Sequence, residues 1–162
     1  MKQKIKERKE LLRIIKDLKA KRKRVVFTNG CFDLLHIGHV RYLEEAKALG
    51  DVLVVGVNSD TSVRKLKGPK RPILPEDERA EILSGLGCVD YVTLFDEIDP
   101  LKLITSLHPE VLVKGGDWTK EQIVGKEEVE RSGGEVVIIP FVGKASTSNL
   151  IETILKRYEK SA

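Results

Sequence analysis

Five short runs of apolar and β-branched residues recur along the chain, separated by longer segments with a different spacing. The runs lie at 24–29, 52–57, 89–95, 111–114 and 135–140. Their apolar residues are mostly consecutive and do not alternate with polar ones, which is typical of strands covered on both faces. Each run therefore predicts a buried strand.

The segments between these runs have apolar residues three and four positions apart, as on one face of an α-helix. They lie near 38–49, 76–86, 99–107 and 120–131, and a last one extends from about 147 to 159. This alternation predicts an α/β fold with a single doubly wound, mostly parallel five-stranded sheet of the Rossmann-like kind. In such a sheet, ligands bind at the carboxyl ends of the strands, near the switch in strand order.

Residues 65–72 predict a mobile loop, because Gly68, Pro69 and Pro72 interrupt regular structure there. Basic residues crowd this loop and its approach: Arg64, Lys65, Lys67, Lys70 and Arg71. Such charges form either a solvated surface or, beside a phosphate site, an electrostatic clamp.

The first 24 residues are rich in Lys and Arg and end in four consecutive basic residues. A nucleic-acid-binding arm and an amphipathic helix both fit such a run. No base-stacking aromatic residues accompany the charges, which favours the helix. We therefore predict two parts, a basic amphipathic helix over 1–23 and a main domain over 24–162. The apolar side of that helix contains Leu11, Leu12, Ile14, Ile15 and Leu18.

Composition narrows the class of protein. A chain of 162 residues with 41% hydrophobic and 33% charged residues suits one globular domain with a substantial core. No apolar run is long enough to span a bilayer, and the N-terminus lacks the apolar core of a signal peptide. Cys31 and Cys88 form neither a CxxC pair nor a disulfide framework. We expect a cytoplasmic protein with no nucleic-acid or membrane partner.

The segment from Thr28 to His39 follows the first strand and leads into a helix. Gly30 allows a tight turn, and the helix start offers free N–H groups and a positive dipole end to a phosphate. His36 and His39 are three residues apart, so both rings can face one ligand. A lone histidine is more often a surface or capping residue, and zinc would need a third ligand, which the spacing does not offer. The combination of glycines, an aspartate and paired histidines between a strand and a helix favours a phosphate site.

The string Gly30-Cys31-Phe32-Asp33-Leu34-Leu35-His36-Ile37-Gly38-His39 resembles the signature of the cytidylyltransferase-like nucleotidyltransferases. In that family the His-x-Gly-His motif stabilises the transferring phosphate. The resemblance covers about Val25 to Ile154 and implies the nucleotidyltransferase version of the fold. It implies a catalytic role for His36, His39 and Lys67.

Three further segments extend the resemblance. Residues 58–68 are similar to the lysine loop that closes over the triphosphate, and 145–148 are similar to the motif that opens the family's last helix. Residues 112–118 resemble the fourth-strand loop of the bacterial heptose 1-phosphate adenylyltransferases. The resemblance thus implies AMP transfer from ATP to D-glycero-β-D-manno-heptose 1-phosphate, giving ADP-heptose for lipopolysaccharide core synthesis. It also implies Mg²⁺ bound with the triphosphate, and the sequence shows no all-protein metal cage.

The same resemblance implies two sets of binding residues. For the nucleotide these are Asn29, Gly30, Cys31, Phe32, Gly38, Lys65, Arg79, Gly115, Asp117, Ser146, Thr147 and Ser148. For the acceptor they are Asp33, Lys114 and Trp118. Structural alternatives are open for some of them: Arg79 could pair with Glu76, Ser146 could be a helix N-cap and Trp118 could merely pack. Cys31 is better interpreted as a small buried residue than as a nucleophile.

Two departures from related patterns bear on the substrate. Phe141 stands where glycerol-3-phosphate cytidylyltransferases have an arginine, which weakens that assignment, and Ser148 replaces a common threonine. The alternatives are a cytidylyltransferase for glycerol 3-phosphate or ethanolamine phosphate, an archaeal-type FAD synthetase, and a non-catalytic nucleotide-binding module. A homodimer is an open option.

Overall fold

Five parallel strands form one sheet in the computed structural model, which describes residues 2–116, 118–140 and 146–158. The strand order is β3-β2-β1-β4-β5. The strands are β1 (Val25–Gly30), β2 (Val52–Asn58), β3 (Tyr91–Phe95), β4 (Val111–Gly115) and β5 (Glu135–Ile139). The predicted single five-stranded α/β sheet is confirmed, and each strand begins and ends within two residues of a predicted apolar run.

Helices connect the strands and cover both faces of the sheet. They are α1 (Arg8–Ala20), α2 (Ile37–Lys47), α3 (Asp60–Lys67), α4 (Glu76–Ser84), α5 (Leu101–Leu107), α6 (Lys126–Arg131) and α7 (Thr147–Tyr158). Short 3-10 turns lie at Lys2–Lys4 and Lys120–Gln122. The helix predicted over 120–131 is therefore broken, with Gly125 at a φ of 88° directly before α6.

Helix α3 corrects the loop predicted over 65–72. The side chain of Ser59 accepts a hydrogen bond from Ser62 N at 3.2 Å, and Asp60 occupies the first turn, so the helix begins with a favourable cap. Only Ser62 and Val63 are buried, so the segment shows little of the apolar periodicity that marks a helix in the sequence. The loop is confined to the residues between Lys67 and Glu76.

Alternating side chains of the central strand enter two cores. Val26 belongs to the core on one face of the sheet, and Val25 and Phe27 belong to the core on the other. Helix α1 adds Leu11 and Ile15 to the second core. Before this helix, Lys6 N donates to Val92 O at 2.8 Å, so the N-terminal segment covers part of the β3 edge.

The strand order places the switch point between β1 and β4. The polar ends of the strands meet there, with Asn29 and Gly30 on β1, Asn58 on β2, and Lys114 and Gly115 on β4. Ligands of doubly wound sheets bind in this crevice. None of the helices in the described part of the chain combines the length and apolar character needed to cross a membrane.

Candidate functional site

A cavity of about 640 Å³ opens at the carboxyl ends of the strands. It brings together most of the residues that the sequence predicted for the site, although they are spread over 120 positions of the chain. Those that line it are Asn29, Gly30, Cys31, Phe32, Asp33, His39, Lys67, Lys114, Gly115, Trp118, Thr147 and Ser148. The predicted position of the site, at the strand ends, agrees with this cavity.

The other predicted residues lie around the cavity or outside the described residues. His36, Gly38, Arg79 and Ser146 belong to the surrounding elements, and Lys65 is exposed on α3 away from the lining. Asp117 lies outside the described residues, as does Phe141.

Sequence reasoning missed a wall of the cavity. The lining residues that it did not name are Tyr42, Ile98, Asp99, Pro100, Gln122, Ile123 and Val124. Asn58, Leu66 and Arg71 also line the cavity and belong to the segments that it had singled out for the phosphates. Ile98, Asp99 and Pro100 follow the end of β3 in the chain. Their place just beyond a strand's carboxyl end was a usable signal, because all parallel strands of a sheet end at the same edge.

The turn after β1 is shaped by Gly30 and Phe32. Phe32 adopts a left-handed φ of 45°, which is uncommon for a bulky residue. A Cβ at Gly30 would lie 3.1 Å from the Phe32 ring, so a side chain there would push the ring away. The ring centroids of Phe32 and His39 are 5.4 Å apart, so the turn places an aromatic neighbour beside the second histidine.

His36 and His39 form a stacked pair at the start of α2. Their ring centroids are 3.9 Å apart and their planes meet at 27°. His36 occupies the N-cap position without a side-chain cap bond, and His39 lies in the first turn. Nδ1 of each ring is buried and has no hydrogen-bond partner among the described residues. Since buried polar atoms are normally paired, two such nitrogens at a helix start without a side-chain cap indicate a ligand-binding site.

Both imidazoles are neutral at physiological pH. Burial, reinforced by the neighbouring His36, lowers the pKa of His39 to about 4. Burial also lowers the pKa of His36. A neutral imidazole keeps one N–H donor, so each ring can donate a hydrogen bond to a phosphate oxygen.

Lys114 adds a positive charge on the opposite side of the switch point. Its Nζ donates to the side-chain oxygen of Asn29, which links the ends of β4 and β1. Burial lowers the pKa of Lys114 to about 8. Among the described residues no carboxylate forms an ion pair with it, so an anionic ligand would supply the counter-charge.

Asp33 is held by the protein. Its Oδ1 accepts from the backbone N–H groups of Ile73 and Leu74 at 2.7 and 3.0 Å, and its Oδ2 accepts from Arg71 Nε at 2.5 Å. The residue is 2% exposed. Although it borders the cavity, both oxygens are engaged, so the structure gives Asp33 a role in fixing the loop before α4, where the sequence predicted an acceptor contact.

Arg79 is likewise built into the wall of the site. It is 1% exposed and donates to Leu74 O at 3.0 Å, Cys31 O at 2.5 Å and Asp60 Oδ1 at 2.7 Å. The alternative pairing with Glu76 is therefore wrong, because Glu76 accepts from Asp60 N instead. With all its contacts to protein groups, Arg79 joins three segments that border the cavity.

Helix α7 begins at the rim of the cavity. Ser146 Oγ accepts from Asn149 N at 3.1 Å, so the N-cap alternative for Ser146 is confirmed. Thr147 Oγ1 donates to Leu34 O at 3.3 Å and ties the start of α7 to the loop before α2. The N-termini of α2 and α7, with the free backbone N–H groups of their first turns, thus lie beside the same cavity.

Two further features of the site are the thiol of Cys31 and the arrangement of its metal-ligating side chains. Burial raises the pKa of Cys31 in spite of the nearby cations Lys67, Arg79 and Arg71, so its thiol is protonated at neutral pH. Within the described ranges, no group of three or more His, Cys, Asp or Glu side chains is arranged to hold a metal ion.

Comparisons of sequence identify the family of the chain. Residues 27–157 match the family model described as cytidylyltransferase-like. A relative named bifunctional protein HldE, from Trichlorobacter lovleyi, is 59% identical over 155 residues, which are 96% of this chain and 32% of the relative. The protein of the same name from Citrifermentans bemidjiense is 62% identical over 136 residues, 84% of this chain and 28% of the relative. The chain therefore spans about a third of the length of these curated relatives.

Solved structures share the fold. A lipopolysaccharide core biosynthesis protein from Thermoplasma volcanium is 32% identical with a TM-score of 0.63, over 76% of this chain and 99% of that one. Pantoate-β-alanine ligase from Francisella tularensis, solved with a β,γ-ATP compound and β-alanine, is 18% identical with a TM-score of 0.64. The match covers 96% of this chain and 77% of the ligase. At this identity the likeness shows the fold alone.

Proposed function

This chain belongs to the cytidylyltransferase-like family, and we propose that it transfers AMP from ATP to D-glycero-β-D-manno-heptose 1-phosphate. The products are ADP-heptose and pyrophosphate, both substrates are small molecules, and the protein acts in the cytoplasm. The observation that carries the transfer of a nucleotidyl group is the stacked pair of neutral histidines with unpartnered buried nitrogens at the start of α2. The sugar acceptor is supported by the fourth-strand loop and by the likeness to a lipopolysaccharide core biosynthesis protein.

The chemistry requires positioning more than proton transfer. The phosphate of the acceptor is already an anion near neutral pH and can attack the α-phosphorus directly. The protein must hold two polyanions in line and stabilise the charge that develops during transfer. The donors available for this are His36 and His39, the first turn of α2, and the cationic side chains Lys67 and Lys114 at the cavity.

We assign Mg²⁺ to the substrate, as a complex with the triphosphate. The described side chains offer no cluster of metal ligands, which fits an ion held by phosphate oxygens and water. The protein then has to bind the complex and need not provide a cage of its own.

We expect the KM for heptose 1-phosphate to be about tenfold higher at pH 9 than at pH 7. The pKa of Lys114 is lowered to about 8, so its ammonium is charged below this pH and loses its charge as the pH rises through it. The acceptor phosphate keeps its charge over the same range, since its second pKa is near 6. Initial rates across this range measure the effect. The control is Lys114→Arg, which stays charged throughout and should give a flat profile. The same rise in both proteins would contradict the assignment.

The substrate assignment is tested by combining each nucleotide with each acceptor. ATP and CTP are offered with heptose 1-phosphate, glycerol 3-phosphate or FMN, and pyrophosphate release is measured. We expect ATP with heptose 1-phosphate to exceed every other pair by at least about tenfold in kcat/KM. Equal or better turnover of CTP with glycerol 3-phosphate would overturn the proposal in favour of a cytidylyltransferase. Nucleotide binding without any pyrophosphate release would identify a non-catalytic module.

A further inference from the structure

Arg71 lies in the loop between α3 and α4 and lines the cavity. Arg71 Nε donates a hydrogen bond to Asp33 Oδ2 at 2.5 Å. The same contact is an ion pair, and the side chain of Asp33 is fully buried. No other described residue takes a hydrogen bond from its guanidinium side chain. The two terminal nitrogens are thus left with donors unused, beside a cavity that already contains His39, Lys67 and Lys114.

The anchor of this arginine is rigid. Asp33 follows directly on the turn after β1 and is buried, and its second oxygen holds the backbone N–H groups of Ile73 and Leu74. Arg79 also binds the same loop, because its Nε donates a hydrogen bond to Leu74 O. Because the loop is attached on both sides of Leu74, the guanidinium of Arg71 is held in place before any ligand arrives.

We propose that Arg71, oriented by the buried carboxylate of Asp33, binds the phosphates of the nucleoside triphosphate through its two terminal nitrogens. Asp33 is then a positioning residue that acts through Arg71. The inference rests on the proposed function and adds a phosphate-binding group to it. An arginine suits this task because its planar fork can bond one anion through Nε and a second through the terminal nitrogens, whereas lysine is a single point charge.

The test measures binding of α,β-methylene ATP, which cannot be cleaved at the reacting bond, and of AMP to the full chain by calorimetry. Arg71→Ala should weaken the triphosphate analogue by about ten- to a hundredfold, the range for a hydrogen bond to a charged group. Arg71→Lys should recover only part of that loss. AMP, which lacks the β- and γ-phosphates, should bind with nearly unchanged affinity. Lys70→Ala is the matched control, since Lys70 is the adjacent exposed cation and does not line the cavity.

Asp33→Asn separates positioning from direct contact. The amide keeps an oxygen for the N–H groups of Ile73 and Leu74 but presents an NH₂ to Arg71 Nε, so the loop stays attached while the arginine loses its anchor. The variant should weaken the analogue in the wild-type background and have no further effect in Arg71→Ala, because the two residues act as one unit. An equal loss in both backgrounds would show that Asp33 meets the ligand itself and would overturn the proposal.

Two other results would also overturn it. One is wild-type affinity of Arg71→Ala for the analogue, and the other is an equal loss of AMP affinity. If Asp33→Asn does not fold, the comparison of Arg71→Ala with Arg71→Lys and Lys70→Ala still decides the matter. Binding is measured without acceptor, so a chain that binds the analogue but fails to adenylylate heptose 1-phosphate contradicts the proposed function alone.

Discussion

Replacing His39 by alanine is expected to lower kcat by at least about two orders of magnitude, the usual effect of removing one preorganised donor to a developing oxyanion. His36→Ala should lower kcat to a similar extent, because the ring centroids of the two histidines lie 3.9 Å apart and each ring has a buried Nδ1 without a hydrogen-bond partner among the described residues. Neither residue forms a hydrogen bond from its ring that holds the described structure together, so the fold should stay intact. Single-turnover rates measure the loss of catalysis, and circular dichroism checks that the fold is intact.

The chain supplies its own control for this experiment. His108, the third histidine, is exposed and precedes β4, at the edge of the sheet opposite the cavity. It adopts a left-handed φ of 46°, which asparagine tolerates, so His108→Asn removes an imidazole without straining the backbone. This variant should turn over like the wild type. Near-normal turnover in both His36→Ala and His39→Ala would remove the central assignment.

The sequence predicted those parts of the fold whose signals lie in residues that are neighbours in the chain. The strands were recognisable because short runs of consecutive apolar and β-branched residues, such as Val52 to Val55, are typical of strands covered on both faces. The histidine motif was recognisable because its glycines and helix start are neighbours in the chain. Helix α3 was missed because only a few of its eight residues are buried, so a cap at Ser59 and charges at its ends are its main signals.

The roles of the charged residues at the site could not be predicted in the same way, because they depend on partners far apart in the chain. Arg79 bonds to Cys31, which is 48 residues away, and Asp33 bonds to Leu74, 41 residues away. A sequence shows that Asp60 and Glu76 are both acidic but not which of them comes within reach of a given arginine. The resemblance therefore led to ligand contacts for Asp33 and Arg79, where the structure has contacts to the protein.

This difference matters for the electrostatics of the cavity. If Asp33 faced the ligand, its negative charge would oppose the binding of phosphates. Paired with Arg71 and two backbone N–H groups, it is neutralised and serves to present a cation. With Asp33 paired in this way, the cavity lining offers an anionic substrate the cations Lys67, Arg71 and Lys114 and one further carboxylate, that of Asp99. Its charge is therefore positive on balance, which favours the binding of polyanions.

Replacing Arg79 by methionine is expected to lower the free energy of unfolding by about 3 kcal/mol, the lower end of the range for breaking a buried ion pair. Methionine fills a similar volume but leaves two carbonyl oxygens, of Cys31 and Leu74, without their donor. Asp60 also loses its partner at 2.7 Å, and its partial exposure lets water replace part of that contact. Urea denaturation of the protein without ligand measures the change.

The same measurement separates the structural role of Arg79 from the nucleotide contact that the sequence predicted. Glu78→Ala, on the exposed side of the same helix, is the control and should leave the free energy of unfolding within about 0.5 kcal/mol of the wild type. Arg79→Lys should recover little of the loss, since one ammonium cannot reach three groups in different directions. An arginine that served only the ligand would leave the stability of the free protein unchanged and would weaken ATP binding alone. That result for Arg79→Met would restore the nucleotide contact and contradict the role that its three protein contacts assign to it.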